Sequence, residues 1–182
     1  MKTNNNVFTN YLFLVVTIAI LIPITCYSFQ NEPDGFEGIK WKEDIKSMKK
    51  SFIQKEVQGG FFAADKDIRV YVKIKENKML GPANLKDIYY YFWKDKFICV
   101  EIITMGLSNF ASLRGLCFER YGNNIEGHEQ PHKNFSTYTW KGNVAGISLF
   151  HYKDGSGFDQ AILRMYSQKL MKHLAGDKEK KH

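Results

Sequence analysis

The sharpest chemical signal in the sequence is His128-Glu129-Gln130-Pro131-His132. The pattern His-Glu-x-x-His sets two zinc-binding imidazoles and a catalytic carboxylate on one helical face, because i, i+4 spacing aligns both rings. Here Pro131 stands inside the motif and Gly127 precedes it. A proline in a helix interior removes a backbone donor and clashes with the preceding turn, at about 3 kcal/mol or more. The pattern therefore predicts a polar loop over residues 123–133. A small metal-assisted hydrolase using His128, Glu129 and His132 is kept as the alternative function, with adventitious zinc binding at His128 and His132 as its milder form. His151 is a third ligand only if the fold delivers it.

Cys99 and Cys117 are the only cysteines beyond residue 26. In an oxidising compartment such a pair invites a disulfide, worth about 2–4 kcal/mol through restraint of the unfolded chain. If Ile98, Val100 and Ile102 own the core face of their strand, Cys99 turns away and both thiols are simply buried. Both readings stand. A catalytic thiol lacks support, since no basic cluster is placed to lower its pKa. Asp154, Ser156 and Asp159 suggest a calcium loop, but the full acidic spacing and the distal Glu are missing, so a hairpin turn is expected there. Asn134-Phe135-Ser136 fits a glycan acceptor, which matters only in a eukaryotic secretory pathway.

The densest aromatic run is Tyr89-Tyr90-Tyr91-Phe92-Trp93. Strand alternation sends Tyr89, Tyr91 and Trp93 to one side and Tyr90 and Phe92 to the other. One set serves the core. The set Tyr89, Tyr91, Trp93 either lies under a helix or loop or forms an exposed binding strip, because sheet-surface aromatics are common anchors. Trp41, at the entry to the first helix, is expected to anchor the core.

The elements that position these residues are legible from periodicity. Asn31–Gly38 is turn chemistry. Ile45, Met48 and Phe52 lie at i, i+3, i+7, the stripe of a short helix with Glu43 and Asp44 in its first turn. Ile68, Val70, Val72 and Ile74 alternate along a strand. Leu85–Trp93 and Phe97–Thr104 form a hairpin about Lys94-Asp95-Lys96. Ser108 and Asn109 cap a helix carrying Phe110, Leu113, Cys117 and Tyr121, closed by Gly122. Thr137–Lys141 and Val144–Tyr152 pair about Gly142-Asn143. Phe158–Tyr166 is the last strand, and Leu170–Leu174 a short closing helix. The expected fold is α+β: one two-layer domain, helix–strands–helix–strands, a weak internal duplication with two helices on one face of a curled antiparallel sheet.

Composition bounds the function. The chain has 182 residues, 44% of them hydrophobic, so neither disorder nor a fibrous repeat fits. Tyr11 to Ile24 carries no charge, a length suited to a signal peptide's apolar core and short of a membrane span. Cys26 and Ser28 are small residues at −3 and −1 of a cut after Ser28. The expected organisation is a signal peptide over 1–28, one domain over 29–176, and a disordered basic tail over 177–182. An uncleaved anchor, or a lipoprotein acylated at Cys26, are the rivals; the membrane is involved only through this segment. Net charge is +7, yet no run of five or more basic residues occurs, so no nucleic-acid partner is expected.

Gly35-Phe36-Glu37-Gly38-Ile39-Lys40-Trp41, followed by Asp44-Ile45, resembles the opening of a family of uncharacterised exported bacterial proteins, Gly-Phe-x-Gly-Ile-x-Trp-Gly after a signal peptide. The likeness continues through Ile88–Ile103, Ser108-Asn109-Phe110…Phe118-Glu119-Arg120-Tyr121-Gly122 and the Trp-containing hairpin Tyr138–Leu149. Lys42 replaces the usual Gly. The resemblance implies export to the periplasm or beyond and brings no activity. By fold-level analogy alone, the arrangement is similar to small envelope proteins that bind other proteins, such as outer-membrane assembly lipoproteins and secreted enzyme inhibitors. The expectation is a non-catalytic, cofactor-free envelope protein that binds another protein or a surface component.

Overall fold

The computed structural model describes residues 29–57, 62, 65–123 and 135–179. In chain order these form β1 (Gly35–Phe36), β2 (Ile39–Lys40), α1 (Ile45–Met48), β3 (Phe52–Lys55), β4 (Ile68–Lys73), β5 (Met79–Leu80), β6 (Ala83–Asn84) and β7 (Asp87–Trp93). Then follow β8 (Lys96–Met105), α2 (Leu107–Tyr121), β9 (Phe135–Lys141), β10 (Ala145–Lys153), β11 (Asp159–Ser167) and α3 (Gln168–Glu179). The fold is mixed α and β around one large antiparallel sheet of seven strands, ordered β3-β4-β7-β8-β11-β10-β9. Strands from before α2 meet strands from after it where β8 pairs with β11.

On one face, α2 lays Phe110, Leu113, Cys117 and Tyr121 over Tyr90, Phe92, Val100, Ile102, Trp140, Ile147 and Leu163. Their i, i+3, i+7, i+11 spacing is what makes one helical stripe. The segment from Phe29 to Trp41 straps the edge of this core. Phe29 meets Tyr121 edge-on at 5.5 Å, and Glu32 accepts the backbone N–H groups of Val144 and Ala145. Trp41 stacks on Phe97 at 4.9 Å and donates its indole N–H to the Pro33 carbonyl, so it does anchor the core.

Several expectations need correction. The first helix is one α turn, capped by the Asp44 carboxylate on the Lys46 N–H, then a 3₁₀ turn over Lys49–Ser51. Phe52 keeps its predicted burial but as the first residue of β3, because the next residues find a ladder on β4, and pairing outweighs a helix too short to persist. Helix α2 begins at Leu107, not after Ser108 and Asn109. Asn109 instead accepts from the Asn84 N–H and donates to the Met105 carbonyl, tying the helix start to β6. Gly122 ends α2 at φ 76, as anticipated.

The two-layer arrangement gives way to helices on both faces. Side chains of α1 and α2 share one core, while α3 packs on the reverse of the sheet. The domain also runs past residue 176. Helix α3 continues to Glu179, and its end is fastened by Asp177 to Lys94 at 2.5 Å and Lys178 to Asp65 at 3.2 Å. These partners come from turns far away in sequence, so composition alone reads the segment as a tail.

The β7–β8 hairpin turns on Lys94 and Asp95, both in the left-handed region (φ 47 and 65), as a two-residue primed turn requires. Just beyond it the register slips. Tyr91 pairs with Cys99 and Phe92 with Phe97, leaving Ile98 as the extra residue of a β-bulge.

Candidate functional site

The bulge decides what each side of β8 carries. Val100 and Ile102 face α2, as does Phe97, while Ile98 and Cys99 both belong to the cluster beneath α3. Cys99 and Cys117 therefore lie in different cores on opposite faces of the sheet, both as free, buried thiols. The strand-to-helix disulfide is not formed. Burial pushes the Cys99 thiol far above its ordinary value and the Cys117 thiol up to about 12, which leaves neither a nucleophile.

Tyr89, Tyr91 and Trp93 do share one side, and most of it is covered. Leu170 and Leu174 of α3, with Phe62 tilted against Tyr91 at 5.3 Å, leave Tyr91 2% and Trp93 7% exposed. Only Tyr89 stays half-buried at the margin. Sequence alternation placed these rings on one side correctly; it carried no sign that a helix from the far end of the chain would close over them.

The strip of sheet that stays open is the neighbouring part of the same face. Cross-strand register places Phe135, Tyr152, Gln160 and Met105 in one row, and Thr137, Phe150, Ile162 and Ile103 in the next. Phe135 and Tyr152 are 42% and 45% exposed. Phe135 and Phe150 lie 6.3 Å apart, and Tyr152 leans on the exposed Phe158 at 6.2 Å. A depression of about 190 Å³ lies among Phe135, Phe150, Tyr152, Gln160, Ile162 and Arg164.

A polar row, Thr139, Ser148, Arg164, Glu101 and Tyr89, separates the open strip from the part beneath α3. Arg164 donates from Nε and Nη2 to one Glu101 oxygen at 3.1 and 2.9 Å, and its guanidinium lies 5.2 Å from the Phe150 ring centre. Both side chains of the pair are nearly enclosed, at 12% and 6% exposure. The geometry fixes the Arg164 plane against an aromatic face, an arrangement favoured at contact surfaces.

The other candidates reduce to structure. Asp154 accepts from the Ser156 hydroxyl at 2.6 Å and from the Ser156 and Phe158 N–H groups, and these bonds hold its carboxyl below the usual range. It makes a tight turn between β10 and β11. Asp159 pairs with His151 Nε2 at 2.9 Å, and the imidazole stacks on Phe110 at 4.0 Å, so both are committed to fastening that hairpin to α2. His128, Glu129 and His132 lie outside the described residues; among those described, no three His, Cys, Asp or Glu side chains group closely enough to hold a metal ion. No described helix is long and apolar enough to cross a membrane. A larger groove of about 660 Å³ at the β3–β4 edge is lined by Lys55, Lys73 and Lys78 against Glu56, Glu76 and Asp87, charges that offset one another.

Phe135, Phe150, Tyr152 and Ile162 were missed as a group. The alternation of Phe150 and Tyr152 along β10 was readable, but nothing local distinguishes an outward aromatic from a covered one. No family model, no curated protein and no solved structure matches this chain.

Proposed function

We propose that this chain is an exported envelope protein that acts by binding another protein or a surface component, without catalysis, and that its contact face is the open strip about Phe150. One observation carries the reading: aromatic and aliphatic side chains from three adjacent strands stand in register on a sheet face, part of which the chain covers with its own helix and part of which it leaves open. Contiguous exposed apolar surface of this kind marks interaction sites. Export rests on the uncharged leader over 11–24 and on the resemblance of the Gly35–Trp41 opening to exported bacterial proteins.

The test is affinity capture from envelope extract with the mature fragment beginning at Phe29. A partner retained by the native fragment is expected to fall at least tenfold with Tyr152→Asp and to persist with Ala111→Asp, on the outer side of α2. Equal loss from both variants, or from neither, would refute the assignment. Mass spectrometry of exported material should find Phe29 as the first residue.

A further inference from the structure

We propose that the open strip seats an amphipathic helix from a partner protein, laid on the sheet beside α3. This deepens the contact-face reading above and rests on it. The face itself shows what it accepts. Helix α3 spans its part with Leu170 and Leu174, one turn apart, on the cluster of Tyr91 and Trp93, and carries Lys169, Lys172 and His173 outward. Helix α3 crosses the strands, and rows on one face recur about every 6.8 Å along them, so the Phe150–Ile162 row lies about 14 Å from the Gly146–Tyr166 row beneath α3. A packed helix is about 10 Å across, so a second one fits beside α3 at that spacing. Beginning at the ends of β10 and β11 and pairing with Lys94 and Asp65, α3 takes one end of the face. Phe150, Tyr152 and Ile162 lie toward the other end, across the polar row.

Charge narrows the occupant. The chain carries a net +7, but the charged groups set into the strip, Arg164 and Glu101, neutralise each other, and Asp87 at its margin lies 4.0 Å from Lys78. A polyanion or an anionic lipid surface gains little from a neutral strip, whereas an uncharged apolar stripe is complementary to it. The layout agrees: Phe150 and Ile162 form an apolar centre, and Thr137, Gln160 and Arg164 form a polar rim, the anatomy of a protein contact. An extended peptide would add to a sheet edge rather than to its face, so the fitting element is a helix with apolar residues at i, i+3 or i+4, and i+7.

The experiment places a photoreactive phenylalanine analogue at Phe135 or Tyr152 of the full chain in the exporting cell, with Ala111 as the control position, and sequences the crosslinked segment. A protein segment with that helical spacing is expected from positions 135 and 152 and not from 111. Its yield should drop at least tenfold with Ile162→Asp and also with Thr137→Lys, which alters the edge strand's surface and leaves the core intact. Crosslinks to a glycan, a lipid, a second copy of this chain or a segment of alternating strand pattern would overturn the helix while leaving the contact face standing. Absence of crosslinks at 135 and 152, or equal crosslinking from 111, would overturn both.

Discussion

One face of the sheet holds two aromatic regions with opposite fates. Beneath α3, Tyr91, Trp93, Ile98 and Cys99 are closed off with Leu170 and Leu174. Across the row of Thr139, Ser148, Arg164 and Glu101, Phe135, Phe150 and Tyr152 keep substantial contact with solvent. The two regions are built from the same residue types on neighbouring strands. What separates them is whether a helix from the end of the chain reaches them. Aromatic density in a sequence therefore reports packing demand, and the open strip is the part of that demand the described residues leave unmet.

The contrast can be broken by mutation. Trp93→Ala should remove about 3–5 kcal/mol of stability, as a large buried ring does when its cavity cannot collapse. Chemical denaturation measures it, and a loss below about 1 kcal/mol would mean that α3 does not seal this region. Arg164→Ala, at the boundary, strands the Glu101 carboxylate without its partner and should cost about 3–5 kcal/mol as well. The double change to Arg164→Met with Glu101→Leu should recover most of that loss in the same assay.

A more gradual effect is expected on raising the pH. The Cys117 thiol ionises near 9.0 when unfolded and only at about 12 within the core. Unfolding then releases a proton through that window, so its contribution is intact below pH 9 and stability declines as pH rises toward 12. Thermal melts should show a shallower alkaline decline for Cys117→Ala than for the native chain. Smallest in stability, and the sharpest test of the contrast, is Tyr152→Ser. It should shift unfolding by no more than about 0.5 kcal/mol, as exposed positions do, while weakening partner retention at least tenfold.

Much of this architecture was visible in the order of residues. The β7–β8 and β9–β10 hairpins, the stripe Phe110–Leu113–Cys117–Tyr121 and the Gly122 stop follow from local periodicity and turn chemistry. The failures share a cause in distant contacts. Phe52 entered a strand because β4 offered it a partner, and 177–179 joined a helix because Lys94 and Asp65 lie within reach of its end. The Gly142-Asn143 turn kept two residues but slid by one to Asn143–Val144, since Lys141 pairs with Gly146 and the Gly142 N–H donates to the Ala145 carbonyl, while the Glu32 carboxylate accepts from the Val144 and Ala145 N–H groups, 112 and 113 residues away. Of the candidate site, the phase of Phe150 and Tyr152 was readable and their openness was not. Openness is a property of what lies above a strand, which the strand does not encode.

The unmatched Ile98 has a consequence for how this chain tolerates changes in length. Two consecutive side chains, Ile98 and Cys99, point to the same side, and beyond them Phe97 and Val100 regain the other. Dropping Ile98 alone would join Phe97 to Cys99 in ordinary alternation and forfeit one side chain from the cluster under α3. Dropping Cys99 instead would join Ile98 to Val100 with the same result, whereas losing any other residue of β8 would invert everything on one flank of the gap. The kink thus marks the one place in β8 where a residue, Ile98 or Cys99, can be taken out without turning its neighbours inside out.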